Sequence, residues 1–277
     1  MSIQPFRILI FDSGVGGLSV YQSIKAELDK HIHNRGDVNN QYIYFADHQA
    51  APYGDKSDDW LSNRIQSLMV MLNQQEKPDV IVLACNTAST LALDRLRASL
   101  DLPIIGVVPA IKTAAIMARK CENNKIGLLA TPATVKRHYI DDLKQQHAGD
   151  VALIRVGTTK LVNMAEQKLS GIAPELPVIK AIIEPFVLAQ CQHVVLGCTH
   201  FPLLKQELND AAPDIEWIDS GQAIAERTRH IKSLLSTDQI AQSPVPSYQH
   251  KFISSASMSK ELKAYVQSLG FDQVKTL

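Results

Sequence analysis

The 277-residue chain has no net charge to offer: 28 Lys and Arg balance 28 Asp and Glu. That balance, with a pI near 7.1, gives no general attraction to nucleic acid or to an anionic membrane surface, so neither is expected as a partner. No apolar run approaches the ~20 residues that a membrane span needs. The opening residues, MSIQPFRILIFDSG, enter a strand at once and lack the basic, apolar and cleavage regions of a secretory leader, which makes a cytoplasmic location the expectation. Cysteines number only four, Cys85, Cys121, Cys191 and Cys198. None pair at CxxC spacing and the Cys191 to Cys198 gap fits no common zinc motif, so free thiols and no metal are expected. There is no GK[ST], and the glycines at 14, 16 and 17 miss the dinucleotide fingerprint because Ser19 stands where its third glycine would fall. No pyridoxal lysine motif is evident, and no cofactor is expected.

What is present is a steady alternation of short aliphatic runs with helix-like segments. FRILIF (6–11), YIYFA (42–46), VIVLA (80–84), PIIGV (103–107), KIGLLA (125–130), VALIRV (151–156), VVL (194–196), EWI (216–218) and KFIS (251–254) read as strands. Helices are expected over 18–28, 60–74, 88–100, 112–120, 135–146, 158–169, 179–191, 203–210, from Ala223 onward, and over 259–269. Ser57, Asp58 and Asp59 are placed to cap the second of these. Residues 31–40 read as a polar loop and 242–248 as a polar linker. Strand and helix in alternation predict parallel, doubly wound sheets. The fold class is therefore α/β, and the final strand and its two helices are too little for a domain of their own. They are expected to pack back on the first half and extend its sheet.

Two stretches carry the chemistry. In PDVIVLACNTAST (78–90) a buried strand runs into Cys85, Asn86 and Thr87. In HVVLGCTHFPLL (193–204) the same grammar recurs with Cys198, Thr199 and His200. Carboxyl ends of strands in open α/β sheets face the ligand crevice. The repeat thus predicts two pseudo-symmetric halves, with the active site between them. The first is residues 1–108 with 222–277, holding Cys85; the second is 109–221, holding Cys198. Each cysteine is expected just before a helix, where the dipole favours thiolate. Two thiols on opposite faces of one carbon suit inversion of a weakly acidic C–H centre, one removing a proton and the other returning one.

Around them, Asp12 ends the first strand and precedes a Gly-rich turn, and a buried acid there needs a partner or a task. Thr131 is expected at the corresponding place in the second half. Pro52-Tyr53-Gly54 forms a shaped loop near a strand end. Asn86, Thr87 and Thr199 supply donors and acceptors for an ammonium or a carboxylate, and His200 stands ready to hold or relay a proton beside Cys198. Cys121 and Cys191 are read as structural bystanders.

The segments FDSGVGGLSV (11–20), PYGDKS (52–57), ACNTAS (84–89), GVVPA (106–110), ATPATV (130–135), GCTHFPLL (197–204) and DSG (219–221) together resemble the bacterial glutamate racemases of the cofactor-independent aspartate/glutamate racemase superfamily. They span most of the chain in the family's order. The resemblance implies interconversion of L- and D-glutamate for peptidoglycan, with Cys85 and Cys198 as acid/base residues. It implies substrate contacts from Asp12, Ser13, Tyr53, Gly54, Asn86, Thr87, Thr199 and His200, with a further contact from Thr131 or Thr134. It further implies assistance from Asp12, His200 and a glutamate of the second half. The best match for that glutamate is Glu166, although Thr158-Thr159 stands where the family has Cys-Pro and Ala165 replaces a Val. The resemblance also implies glutamate as small-molecule partner and a homodimer. Aspartate racemase, a non-catalytic amino-acid-binding protein and a redox dithiol protein are the competing readings.

Overall fold

Ile8, Leu9, Ile10 and Phe11 are fully buried, as are Val80 to Leu83. A strand that is apolar on both faces must be covered on both faces, and only a parallel sheet flanked by helices does that with short connections. The computed structural model has this arrangement twice; it describes residues 4–30, 40–121, 123–235 and 248–277. The chain divides into two compact units, residues 1–107 with 221–277, and residues 108–220. The expected polar loop and linker lie, save their last residues, outside the described residues.

In the first unit, β1 (Phe6–Asp12) pairs in parallel with β2 (Asn40–Ala46) on one side and with β3 (Val80–Leu83) on the other, and β4 (Ile104–Gly106) follows β3. Helices α1 (Leu18–Asp29), α2 (Asp58–Glu76) and α3 (Asn86–Ser99) make the crossovers. The end of the chain returns to this unit. The long helix that opens its last stretch packs on α1, with an ion pair from Arg229 to the buried Glu27. Next, β9 (Lys251–Ser254) pairs with β2, extending the sheet as expected. A further strand, β10 (Gln273–Thr276), had no recognisable signal: its alternate residues are Lys275 and Gln273, and it lies half-exposed at the sheet edge. Ser57 occupies the N-cap position of α2, but its side chain makes no capping bond; the acids Asp58 and Asp59 instead sit in the first turn, where the helix dipole favours them.

The second unit is built the same way. β5 (Lys125–Ala130) lies between β6 (Ala152–Gly157) and β7 (His193–Leu196), and β8 (Glu216–Ile218) follows β7. α4 (Ile111–Ala118), α7 (Lys160–Leu169) and α8 (Leu176–Leu188) run close to expectation. Two expected helices are broken. Residues 135–146 belong to α5 (Pro132–Val135), which starts at Pro132, and to α6 (His138–Ala148). Residues 203–210 are split between a 3-10 turn, Phe201–Leu204, and α9 (Lys205–Ala211). The last helices are α10 (Gly221–Leu235) and α11 (Lys260–Ser268), both in the first unit.

Strand order is β10-β9-β2-β1-β3-β4 in one sheet and β6-β5-β7-β8 in the other. In both, the chain first steps outward to one neighbour of its opening strand and then crosses to the other. The point of reversal falls between β1 and β3 in one unit and between β5 and β7 in the other, and ligands of open α/β sheets bind outside the carboxyl ends at such a point.

Candidate active site

Register fixes which residues stand at these reversal points. Phe11 pairs with Leu83 and Leu129 with Leu196. One residue on, the N–H of Ala84 donates to the Phe11 carbonyl at 2.8 Å, and the N–H of Gly197 to the Leu129 carbonyl at 2.8 Å. Cys85 and Cys198 are the next residues, so each thiol occupies the same place in its own sheet, first beyond the last ladder bond. The same register corrects the expected match of Thr131 to Asp12. The counterpart of Asp12 is Ala130, and that of Ser13 is Thr131. The slip arose because the sequence aligned the first polar residue after each strand, whereas Asp12 is itself the last residue of β1.

The thiols differ in what surrounds them. Cys85 is the N-cap residue of α3, so fourteen aligned peptide units direct their positive end toward it. Its thiol lies 3.6 Å from Ser13 Oγ. Asn86 and Thr87, the first two helical residues, are buried, and the Asn86 Oδ1 atom is buried with no hydrogen-bond partner among the described residues. Cys198, by contrast, does not cap a helix as expected: α9 begins only at Lys205. Its companion is an imidazole, with Sγ 3.8 Å from His200 Nδ1. His200 Nε2 lies 2.7 Å from Glu166 Oε1. A carboxylate only accepts, so Nε2 carries the hydrogen and the ring offers Nδ1 to the sulfur. Burial works against charge on His200, but the hydrogen bonds to Cys198 and Glu166 outweigh it and hold its pKa well above the usual value. Glu166 comes from α7, and Lys168 of the same helix reaches the Leu203 carbonyl at 2.9 Å and Glu207, tying α7 to the turn that follows His200.

Asp12 is fully buried and accepts from the Gly14 N–H at 2.8 Å, which folds the turn after β1 back on its carboxylate. The glycine that matters in this turn is Gly17. A Cβ there would stand 2.8 Å from Tyr44 Oη and 2.9 Å from the Cβ atoms of Ala84 and Asp12, so β1, β2, β3 and α1 meet too closely for any side chain. Tyr53 is buried, and Gly54 beside it is exposed. Thr131 caps α5 through Thr134 N–H at 3.4 Å and bonds Thr134 Oγ1 at 2.9 Å. Thr199 is buried beside Cys198. Asp12, Ser13, Tyr53, Gly54, Asn86 and Thr87 thus belong to the first unit with Cys85. Thr131, Glu166, Thr199 and His200 belong to the second with Cys198.

Sequence reasoning missed two residues at this edge. Asp47 follows β2 directly and is fully buried, with its carboxylate bonded to Tyr53, Arg64 and Ser255. The signal was the one used for Asp12, an acid at the end of an apolar strand. Ser89, buried in α3, donates to the Leu83 carbonyl at 2.9 Å and accepts from the Val107 N–H at 2.9 Å, clamping the ends of β3 and β4 beneath Cys85. Among the described residues there is no cluster of His, Cys, Asp and Glu suited to a metal ion, and no helix long and apolar enough to cross a membrane.

Known proteins share this chain's sequence and fold over nearly all its length. A glutamate racemase from Vibrio cholerae is 42% identical over 272 residues, 97% of this chain and 95% of that one. One from Aliivibrio fischeri is 44% identical over 277 residues, 99% of this chain and 98% of that one. Among solved structures, Escherichia coli glutamate racemase in complex with L-glutamate and the activator UDP-MurNAc-ala matches with a TM-score of 0.85 at 36% identity, covering 99% of this chain and 98% of that one. The family model for Asp/Glu/Hydantoin racemase matches residues 8–228. The chain belongs to the Asp/Glu/Hydantoin racemase family and, within it, to the glutamate racemases.

Proposed function

We propose that this chain interconverts L- and D-glutamate by cofactor-independent proton transfer, with Cys85 and Cys198 as the two acid/base residues acting on one substrate carbon. The observation that carries the reading is the equivalent placement of the thiols, each first beyond the last ladder bond at its sheet's reversal point. One sulfur, as thiolate, takes the α-proton; the other, as thiol, gives a proton to the opposite face. The sulfurs end the turnover with their protonation states exchanged, and reset by exchange with water or by the reverse reaction.

The supporting groups divide the remaining work. The α3 dipole favours thiolate at Cys85, and His200, held by Glu166, stands as the proton-bearing partner beside the Cys198 sulfur. Asp12, Ser13, Tyr53, Gly54, Asn86, Thr87, Thr199 and His200 contact the substrate, with Thr131 as a further contact. Asn86 Oδ1, buried and without a hydrogen-bond partner among the described residues, accepts from the substrate's ammonium. Hydrogen bonds and fixed dipoles meet the charge that develops at the carbon. The D-glutamate produced supplies peptidoglycan, and the reaction takes place in the cytoplasm in a homodimer, which sedimentation of the purified protein would check.

The test is incubation with L-glutamate in deuterium oxide, followed by optical rotation and α-deuterium, with Cys85→Ser and Cys198→Ser in parallel. Decay of rotation to zero in the native protein, with each variant slower by at least about a hundredfold, supports the reading. Turnover of aspartate but not glutamate would move the substrate and keep the chemistry. No exchange with either would leave a binding protein.

A further inference from the structure

We infer that Arg64 and Ser255 are positioning residues of this reaction, acting through the buried carboxylate of Asp47 on Tyr53; the inference rests on the racemase reading above. Asp47 has no exposed surface. Burying a carboxylate is costly unless every lone pair is used, and here both oxygens accept twice. Oδ2 takes Arg64 Nε at 2.7 Å and the Tyr53 hydroxyl at 2.8 Å; Oδ1 takes Arg64 Nη2 at 2.6 Å and Ser255 Oγ at 2.8 Å. The donors come from three places in the chain: Arg64 from α2, Tyr53 from the loop after β2, and Ser255 from the segment after β9.

This geometry decides what Tyr53 presents to a substrate. An ionised carboxylate has no hydrogen to give, so the Tyr53 hydroxyl must donate to it. Hydrogen bonds from Arg64, Ser255 and Tyr53 overcome the opposing effect of burial and hold the Asp47 carboxyl below the usual range. Burial, with the negative charge of Asp47 next, raises the Tyr53 hydroxyl far above its ordinary value, and Cys85 and Asp12 add to the shift. Tyr53 is therefore a fixed neutral phenol in the same buried cluster as Cys85, with its hydrogen committed to Asp47 and its ring locked in place.

The C-terminal segment closes the arrangement. Ser255 N–H donates to the Ala46 carbonyl at 2.9 Å, and Ser255 Oγ accepts from the Gln49 N–H at 2.9 Å. Ser254 Oγ meets His48 Nδ1 at 2.8 Å. On the other side, the Asp47 N–H donates to the Asp12 carbonyl at 2.9 Å. The loop that bears Tyr53 is thus held between the end of β1 and the end of β9. This gives the returning C-terminal segment a part in the site, at a distance of more than 150 residues in sequence from Cys85.

The test is a mutant cycle. Ser255→Ala, Ser255→Thr, Arg64→Gln and Tyr53→Phe are made singly, and the first and third are each combined with Tyr53→Phe. KM and kcat for both glutamate enantiomers are measured with the melting temperature of each protein. Expected is a rise in KM of about fivefold for Ser255→Ala, larger for Arg64→Gln, with kcat less affected. Ser255→Thr, which keeps the hydroxyl, restores KM. In the Tyr53→Phe background neither change raises KM further, because both act through the hydroxyl already removed. Multiplicative effects on KM would overturn the inference, as would a lower melting temperature with KM unchanged. If Arg64→Gln does not fold, the Ser255 arm decides alone. A native protein inert toward glutamate would instead overturn the racemase reading and this inference with it. An active one that fails the cycle overturns the inference only.

Discussion

His200 Nε2 lies 2.7 Å from Glu166 Oε1, joining a buried imidazole to a carboxylate that is 40% exposed. Glu166→Gln keeps the size and the acceptor but removes the charge that helps keep His200 protonated. The His200 pKa then falls toward its ordinary value. Because turnover draws on the protonated imidazole, the alkaline limb of the kcat/KM profile moves to lower pH in the variant. Near neutral pH kcat should fall about tenfold, at the low end of what a misplaced acid/base partner costs. Superimposable pH profiles would reduce Glu166 to a solvated helix residue.

The clamp at Ser89 gives a stability prediction. Ser89→Ala removes one hydroxyl and leaves two buried backbone groups, the Leu83 carbonyl and the Val107 N–H, without that partner. Leaving such groups unsatisfied costs about 1–3 kcal/mol, to be read as a lower midpoint in urea denaturation with an unchanged slope. Gly17→Ala should cost a similar or larger amount by overpacking, since all three neighbours of the added Cβ lie within 2.9 Å and two are Cβ atoms that follow the backbone. It should also impair turnover, because one of them belongs to Asp12. Normal activity in a folded Gly17→Ala protein would contradict the placement of Asp12 against α1.

Much of this was legible in the chain because the fold announces itself in burial. Runs such as Ile8–Phe11 and Val80–Leu83 are buried on both faces, and that signal survives without any knowledge of partners. The polar residues that end those runs, Asp12, Cys85 and Cys198, were readable for the same reason. Less legible were features set by tertiary register. Thr131 was matched to Asp12 when its counterpart is Ser13, because composition does not say where a strand's last ladder bond falls. The break at Lys136 and Arg137 between α5 and α6, and the 3-10 turn after His200, were hidden by apolar residues that keep a helical spacing across them. Asp47 is not legible from its own neighbourhood, since its meaning depends on Arg64 and Ser255, and Ser255 is more than 200 residues away.

The Asp47 cluster predicts a particular acid dependence of stability. Its folded pKa is depressed, so the stabilisation it provides is fully present above the unfolded carboxylate value, about 3.9, and is lost as pH falls through the depressed folded value. Asp47→Asn leaves the Arg64 guanidinium, which is 21% exposed, without its carboxylate, and should cost about 3 kcal/mol at neutral pH. Thermal denaturation of both proteins across pH should show a constant gap from pH 7 to about 5, narrowing only below about 4. A gap that narrowed between pH 7 and 5 would assign it to some other group.

The two cysteines outside the repeats should behave as packing, not chemistry. Cys191 is 3% exposed and lies in the apolar cluster of the second unit. Burial pushes its thiol up to about 11, with Lys125 pulling weakly the other way, so almost none is thiolate at pH 8, and thiolate is the reactive form. Cys121 is only half-buried, with its sulfur 3.7 Å from the Met117 carbonyl. In a Cys85→Ser/Cys198→Ser protein at pH 8, a chromogenic disulfide reagent should therefore titrate one thiol in the folded state, that of Cys121, and the second only after urea unfolding. Cys191→Ala should lower stability by about 1–2 kcal/mol through the cavity it leaves, with kcat and KM for glutamate unchanged when made in the otherwise native chain. Two thiols labelling at equal rates in the folded protein would show that Cys191 is not held in the core, and its raised pKa would go with it.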